Sequence, residues 1–385
     1  MTALLKTPTG SPAERFTSLD PDAFPAVSGR DEAWRFSPLA RLRPLIEGAP
    51  SGACLEWNVE LPAGVELVEL ASDDPSFGEL PAPVDRLSAL ALARSGGALA
   101  LRIAKGAELD EPVIVRLRGT GTSDAVWSHV VVDIGDHAQA TVVLAYEGSA
   151  HYAAETSVLV RDGARLSLVQ VHEWADDTLH TDHVGARVGR DAAYRYTSIS
   201  LGGGVVRTSP TVAFTGPGGR AELLGVAFAG EHQHFESRLY IDHSAPQCTS
   251  DVLYKNALRG ESARTVWVGD VRIRPSAVGT RTYELNRNLL LSDGARADSV
   301  PNLEIETGDI AGAGHASATG RFDDLQLFYL QSRGIPEDEA RRLVVRGFFA
   351  DVVERIGLPE LEARIMTAIE ARLGFAAEDT DLETE

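Results

Sequence analysis

The stretch Gly163-Ala164-Arg165-Leu166-Ser167-Leu168 and its counterpart Gly189-Arg190-Asp191-Ala192-Ala193-Tyr194-Arg195-Tyr196 decide the fold that this sequence predicts. In each, a glycine turn precedes residues that alternate in polarity, which is the period of a β-strand. Such turns recur at intervals of 25 to 29 residues, with one double interval of 51. Regular intervals of this size are typical of stacked repeats. The predicted turns are Gly106, Gly135, Gly163, Gly189, Gly218, Gly269, Gly294 and Gly320, with Asp242-His243-Ser244 as a substitute turn inside the double interval.

The segments between turns are too short for crossover helices, which disfavours an α/β sheet. Antiparallel meanders remain possible. A right-handed parallel β-helix fits better, because its narrow interior suits a chain rich in small and β-branched residues with only 6% aromatic residues. A stack of this kind needs its ends covered. We therefore predict a mainly β protein with an N-terminal mixed region (1–100), a parallel β-helix core (101–325) and a C-terminal α-helical subdomain (326–385).

Helices are predicted on both sides of the repeat. The apolar run from Val84 to Arg94 is compatible with a helix. A second helix is predicted to start at Pro336, because acidic residues fill its first turn and apolar residues then recur at three-to-four spacing. Gly357 and Pro359 end that helix, and another amphipathic segment follows. The acidic tail from Glu378 to Glu385 is predicted to be mobile.

The composition excludes several classes of partner. The chain has 56 acidic and 36 basic residues, a formal charge of −20, so it would repel a phosphate backbone and no nucleic-acid binding is predicted. Polar residues interrupt the longest apolar stretch, and the N-terminus has no signal-peptide core, so no membrane partner and no export are predicted. Cys54 and Cys248 are too few for a secreted disulfide framework. These features predict a cytoplasmic protein.

The common catalytic motifs for phosphate binding, acyl transfer and zinc are absent from the sequence. His232-Gln233-His234 could place two imidazoles on one strand face, and the segment from His172 to His183 gathers further metal-type ligands, although solvated polar residues are the favoured explanation of both. Cys248 is either a thiolate ligand or a small buried apolar residue. His315 lies among Gly, Ala, Ser and Thr residues, which predicts an accessible loop with a functional or a structural imidazole.

Several motifs together resemble the SufB/SufD family of iron–sulfur cluster assembly proteins, and SufD most closely. The His315 segment belongs to this resemblance. The other matching segments are Arg30-Asp31-Glu32-Ala33-Trp34-Arg35-Phe36, Pro246-Gln247-Cys248-Thr249-Ser250, Tyr254-Lys255-Asn256, Asn286-Arg287-Asn288-Leu289-Leu290-Leu291, Pro301-Asn302-Leu303-Glu304-Ile305 and Phe328-Tyr329-Leu330 through Arg333-Gly334-Ile335.

The resemblance implies a non-catalytic scaffold subunit. Such a subunit pairs with a SufB-like subunit through the β-helices and binds a SufC-like ATPase through its C-terminal helices. His315 matches the interface histidine, a possible metal ligand shared with the partner. The isolated chain is expected to bind no cofactor, because the iron–sulfur cluster is assembled transiently at the interface. Ala313 stands where some SufD proteins have cysteine, so sulfur ligands must come from the partner, and Ala316 favours SufD over SufB.

The resemblance also suggests a surface for the ATPase, and other functions remain open. The predicted ATPase-contact residues are Phe328, Tyr329, Arg333, Gly334, Phe348 and Phe349, although the C-terminal helices could instead simply cover the end of the β-helix. A homodimer of the isolated chain is possible. One alternative is a β-helix carbohydrate-active enzyme using Glu222, Glu231 and Glu236. Another is a stand-alone metal carrier using His232, His234 or the 172–183 segment.

Overall fold

The computed structural model describes residues 14–322 and 324–373. Short 3₁₀ helices at Pro21–Ala23, Glu32–Trp34 and Pro75–Glu79 lie in the N-terminal part.

The core is a parallel β-solenoid of about eight turns, and 49% of the chain is strand. The predicted parallel β-helix core with C-terminal helices is confirmed. The alternative of antiparallel meanders is wrong for the core, where strands from β4 onward pair in parallel.

The strands follow one another with short connections from β3 onward, whereas α2 lies between β2 and β3. They are β1 Glu56–Val59, β2 Val65–Ala71, β3 Gly97–Ile103, β4 Val113–Ile134, β5 Gln139–Val160, β6 Arg165–Trp174, β7 Leu179–Val188, β8 Ala193–Ser200, β9 Val205–Phe214, β10 Arg220–Ala229, β11 His234–His243, β12 Thr249–Leu258, β13 Arg264–Ile273, β14 Thr280–Leu290, β15 Arg296–Ile305 and β16 Ile310–Arg321.

The strands alternate between two facing ladders. We call the ladder through the first halves of β4 and β5 and then β6, β8, β10, β12, β14 and β16 the front sheet. The back sheet runs through β3, the second halves of β4 and β5, and then β7, β9, β11, β13 and β15. Arg165 pairs with Ala193, and Ala193 with Arg220, so one turn of the solenoid takes 28 and then 27 residues. This agrees with the period read from the sequence.

Two of the predicted turn glycines lie inside strands instead. Gly163 and Gly294 do occupy turns, with φ of 67° and 81° that favour glycine. Gly269 lies within β13 and Gly320 within β16. At Gly269, an added Cβ would lie 2.5 Å from Glu284 Oε1, so glycine is needed there for a close approach across the interior.

Apolar side chains fill the space between the two sheets. Valine, leucine and alanine, with a few tyrosine, tryptophan and phenylalanine side chains, form one continuous cluster from β2 to β13. The interior is narrow because most of these residues are small, as the low aromatic content predicts.

The N-terminal region covers the outer face of the back sheet. Its helices are α1 Leu39–Ile46 and α2 Arg86–Arg94, and α2 confirms the helix expected near Val84 to Arg94. Asp85 caps α2 and also binds Arg207 of β9 at 2.9 Å. Arg207 is buried and stacks on Trp34, with Cζ 3.9 Å from the ring centroid. This buried cation holds the N-terminal region on the sheet.

The C-terminal helices cover the outer face of the front sheet. They are α3 Asp324–Ser332, α4 Glu337–Val353 and α5 Pro359–Arg372. The helices expected after Pro336 and Pro359 are confirmed, whereas α3 was not predicted. Apolar residues of α4 and α5 pack on those of the front sheet. The suggestion that these helices cover the end of the solenoid is therefore wrong: they cover a face.

The predicted domain limits remain a prediction, and two elements cross them. The β3 strand spans the limit at residue 100, and α3 begins at Asp324, before the limit at 325. The acidic tail from Glu378 lies outside the described residues. Within 14–322 and 324–373, no helix combines the length and apolar character that crossing a bilayer requires.

Candidate functional site

The last turn of the solenoid leaves two strand edges open. β15 pairs only with β13, and β16 pairs only with β14, among the residues that the structure describes. At the opposite end, β1 lies antiparallel on β4 and β2 lies antiparallel on β3. The antiparallel strands β1 and β2 thus cover the N-terminal end of the solenoid. At the C-terminal end, the outer edges of the parallel strands β15 and β16 are open.

His315 lies at this open end, in the middle of β16. The prediction that it sits in a loop is wrong, because residues 310–321 form a strand in register with β14. The prediction that it is accessible is confirmed, since its side chain is exposed. Ala313, two positions earlier, packs against the interior cluster, so His315 faces the same inner side. The imidazole is exposed because no further turn covers it.

Glu284 lies directly beneath His315 and was not singled out from the sequence. The two residues are aligned partners on β14 and β16, so their side chains point to the same side of the sheet. Glu284 is 1% exposed, and neither of its carboxylate oxygens has a hydrogen-bond partner within the described residues. Burial, together with the nearby charge of Asp270, raises the pKa of Glu284 to about 8. Glu284 has no neighbouring sequence motif that marks it as buried, so it could not be identified from the sequence.

A polar network lies beside this pair on the inner side of the last two turns. Asn288 Nδ2 lies 3.0 Å from Ser299 Oγ and 3.0 Å from Thr319 Oγ1. Ser299 Oγ in turn donates to Asn286 Oδ1 at 2.7 Å. These bonds join β14 and β16 of the front sheet to β15 of the back sheet. They fix the frame on which His315 is carried.

The predicted ATPase-contact residues fall into an exposed and a buried group. Phe328 and Tyr329 on α3 are 68% and 57% exposed, and Arg333 Nη2 donates to Tyr329 Oη at 3.0 Å. Gly334 follows α3 with a φ of 86°, which turns the chain toward α4. We call Phe328, Tyr329 and Arg333 the α3 surface.

Phe348 and Phe349 lie on α4 and are less exposed than the residues of the α3 surface. Phe349 is fully buried against the front sheet, and Phe348 is half-buried with its ring centroid 5.0 Å from that of Phe349. A partner cannot touch Phe349 while α4 stays docked. Phe349 is therefore suited to holding α4 on the front sheet, and only exposed residues such as those of the α3 surface could contact a partner directly.

The histidines considered for a metal carrier do not share one face. His232 lies in a turn with a φ of 62°, whereas His234 begins β11 and is buried, with Nε2 3.2 Å from Glu236 Oε2. The prediction of two imidazoles on one strand face is therefore wrong. Across residues 14–322 and 324–373, no group of three or more His, Cys, Asp or Glu side chains could hold a metal ion.

The 172–183 segment is mostly strand, and its histidines are buried. His172 and His180 lie inside the solenoid with ring centroids 5.0 Å apart, and burial lowers the pKa of His172 to about 3. His183 faces outward, where Nδ1 lies 2.8 Å from Glu155 Oε1 beneath the N-terminal region. Cys248 is also buried, and burial raises its thiol pKa. These positions favour structural roles.

The carboxylates considered for a carbohydrate-active enzyme are separated. Glu222 on β10 binds Arg195 and Arg355, both on the front side of the molecule. Glu236 on β11 of the back sheet is buried with Arg238, and Glu231 lies in the preceding turn. No pair of them shares a strand face, so the arrangement gives no support to acid–base catalysis of that kind.

The fold places the chain in the class of parallel β-solenoid proteins, here with an open C-terminal end. Residues 117–348 match the family model described as SUF system FeS cluster assembly, SufBD core domain. The chain is similar to an iron-sulfur cluster assembly SufBD family protein of Mycobacterium bovis, with 49% identity over 381 residues, covering 97% of this chain and 96% of that protein. The chain belongs to the SufBD family of iron–sulfur cluster assembly proteins, as the sequence motifs predicted.

Two further relatives bear on partners. A SufBD family protein of Mycobacterium leprae is 46% identical over 365 residues and covers 93% of each chain. A second SufBD family protein of M. bovis is 30% identical over 232 residues, which is 60% of this chain and 27% of that protein. One organism thus carries two different members of the family, both similar to this chain.

Proposed function

We propose that this chain is the SufD-type, non-catalytic scaffold subunit of a cytoplasmic SufBCD-type assembly complex. In this proposal it pairs with a SufB-like subunit through β16 and couples to a SufC-like ATPase through the α3 surface. The observation that carries the proposal is the open, uncharged edge of β16 with His315 at its centre.

The β16 edge lacks the features that normally prevent pairing with another chain. Exposed edge strands are usually protected by charged residues or proline. Strand β15 has such residues, including Asp298 and Pro301. In contrast, no charged residue or proline occurs from Ile310 to Gly320, in a chain whose net charge is −20. An unprotected edge in such an acidic protein favours a dedicated partner.

A second family member is a suitable partner for this edge, because a related solenoid would continue the stack of turns with matching strand spacing. Mycobacterium bovis carries two members of the family, which supports a pair of different subunits. In the absence of that subunit, the same edge is expected to pair with a second copy of this chain.

The iron–sulfur cluster is cargo in this proposal and not a resident cofactor. A neutral imidazole at His315 can ligate iron or carry a proton as sulfur is delivered. Ala313 offers no thiolate, Cys248 is buried, and the exposed Cys54 lies beside β1 at the opposite end of the solenoid, so the sulfur ligands come from the partner in this proposal. ATP hydrolysis is assigned to the SufC-like subunit, since this sequence has no phosphate-binding loop motif.

Co-expression with a SufB-like subunit and a SufC-like ATPase tests the proposal. Deleting residues 336–385 is a poor test, because it would uncover the apolar outer face of the front sheet. The double variant Phe328→Ala and Tyr329→Ala alters exposed side chains only. We expect this variant to retain the SufB-like subunit and lose the ATPase. Failure of the unaltered chain to co-purify with either partner contradicts the proposal.

A further inference from the structure

Glu284 differs from the other buried acids of the solenoid. Glu155, Asp182 and Glu236 are equally buried, and each has hydrogen-bond partners. Glu284 has none within the described residues, for either carboxylate oxygen. An unpartnered buried acid costs folding stability. Its presence is explained if the carboxyl group has a partner that arrives from outside.

The open end is the side from which such a partner can arrive. Glu284 lies one strand below His315, and neighbouring strands of a sheet are about 4.8 Å apart. Beyond His315 there is no further strand within the described residues. A ligand that approaches the end of the solenoid therefore meets the imidazole first and the carboxyl group next to it.

The residues next to His315 on the inner side of β16 are small. Ala313 and Ser317 flank His315 on the inner side of β16, and both side chains are small. Across the interior, Gly269 has no side chain, and any Cβ there would collide with Glu284 Oε1. The carboxyl group therefore lies close to the backbone of Gly269 and the ring of Trp267, and only small residues of β16 flank the imidazole beside it.

We propose that Glu284 and His315 form a half-site for a divalent transition metal ion, completed by ligands of the second subunit. Carboxylate and imidazole are both ligands of ferrous iron. Two ligands from one chain agree with the absence of any larger set of metal-ligating side chains in the described residues. The inference deepens the proposed function and rests on it for the missing ligands.

Binding would be a simple ligand exchange. The metal ion would take one carboxylate oxygen of Glu284 and one ring nitrogen of His315 in place of water. The carboxyl proton would leave to solvent, and no electron would be transferred. Iron bound in this way is a substrate of assembly, held next to the surface where the partner supplies sulfur ligands.

The test is a Co²⁺ titration of the full chain without partners, followed by the visible absorption of the bound ion. Co²⁺ lies next to Fe²⁺ in the affinity order of divalent metals. We expect Glu284→Gln and His315→Ala each to weaken Co²⁺ binding by about tenfold or more. Glu284→Met is a second variant that keeps the shape of the side chain without its charge. Asp182→Asn is the matched control, because it neutralises another inward-facing acid of the solenoid, on β7, and should titrate like the unaltered chain.

Two results would overturn the half-site. One is binding by both Glu284 variants that equals that of the unaltered chain, and the other is no Co²⁺ binding by the unaltered chain. Neither result touches the proposed function, which is measured by co-purification of the subunits. We expect Glu284→Gln to co-purify with both partner subunits as the unaltered chain does. If the unaltered chain itself failed to co-purify with them, the proposed function would be rejected, whatever the Co²⁺ titration showed.

Discussion

Lys255 and Asp351 connect the solenoid to its C-terminal helices. Lys255 Nζ on β12 lies 2.6 Å from Asp351 Oδ1 on α4 and donates to the Phe348 carbonyl oxygen at 2.7 Å. The lysine side chain is 7% exposed, whereas that of Asp351 is 52% exposed. The ammonium also lies 5.1 Å from the centroid of the Phe348 ring. One buried cation therefore fixes the position of α4 on the front sheet.

Replacing this cation should loosen the helices. We expect Lys255→Met to lower the free energy of unfolding by about 1.5–3 kcal/mol, because the bonds made by the ammonium are lost. Hydrogen exchange in residues 337–372 should accelerate. Asp351→Asn is the control and should cost less than about 1 kcal/mol, since Asp351 is half exposed. Unchanged exchange in α4 of Lys255→Met would show that packing alone positions the helix.

The aromatic residues near α3 and α4 should separate stability from binding. Phe349→Ala removes a fully buried ring and should destabilise the protein by about 3–5 kcal/mol in denaturant unfolding. Phe328→Ala changes a ring that is 68% exposed and should alter stability by no more than about 0.5 kcal/mol. Equal destabilisation by the two substitutions would contradict the positions described for them.

Asp182 makes stability depend on pH. Burial raises its pKa to about 7, so the folded state holds its proton more tightly than the unfolded state, where the pKa is about 3.9. The stabilisation that comes from this tighter proton binding is complete below about pH 4, and it is lost as the pH rises through about 7. Asparagine does not ionise, and Thr156 Oγ1, 3.1 Å from the carboxylate, can accept its N–H.

The free energy of unfolding of Asp182→Asn, relative to that of the unaltered chain, should therefore be higher at pH 8 than at pH 4.5. The measurement is urea unfolding of both proteins at each pH. The comparison is needed because the buried histidines have the opposite effect: burial lowers the pKa of His129 to about 4, which removes stability in acid. An advantage that does not change with pH would mean that Asp182 is already ionised in the folded protein.

His315→Ala separates assembly from folding. The imidazole is exposed, so its removal should leave the unfolding curve and binding of both partners unchanged. Cluster delivery by the reconstituted complex to an apo acceptor protein should fall. Delivery at the rate of the unaltered complex would remove His315 from the mechanism.

The repeat and the helix pair could be predicted from the sequence because each leaves a local pattern. Alternation around Leu166 and Tyr194 reflects side chains that point into and out of one sheet, and the three-to-four spacing after Pro336 reflects the face of α4. Glycine signals were less reliable, because Gly269 serves a contact across the interior and not a turn. The helix α3 was missed because buried Leu327 is followed directly by exposed Phe328 and Tyr329, so its apolar residues do not follow the spacing of one buried face.

The candidate site was only half predictable. His315 could be found because it lies among small residues and in a family motif. Glu284 could not, since its burial and its alignment with His315 depend on the register of β14 and β16. The buried positions of His234 and Glu236 depend likewise on the N-terminal region covering the back sheet, where Ser37 donates to Glu236 at 2.8 Å.

We propose that the open edge of β16 receives the second subunit. In the monomeric chain, alternate amides of residues 310–321 face this edge without a strand partner and should exchange rapidly with D₂O, while those bonded to β14 exchange slowly. The decisive measurement is hydrogen exchange of this strand with and without the SufB-like subunit. We predict that the rapid amides become protected in the complex, with no change in β1 at the other end. Unchanged exchange of β16 in a complex that has demonstrably formed would contradict the account.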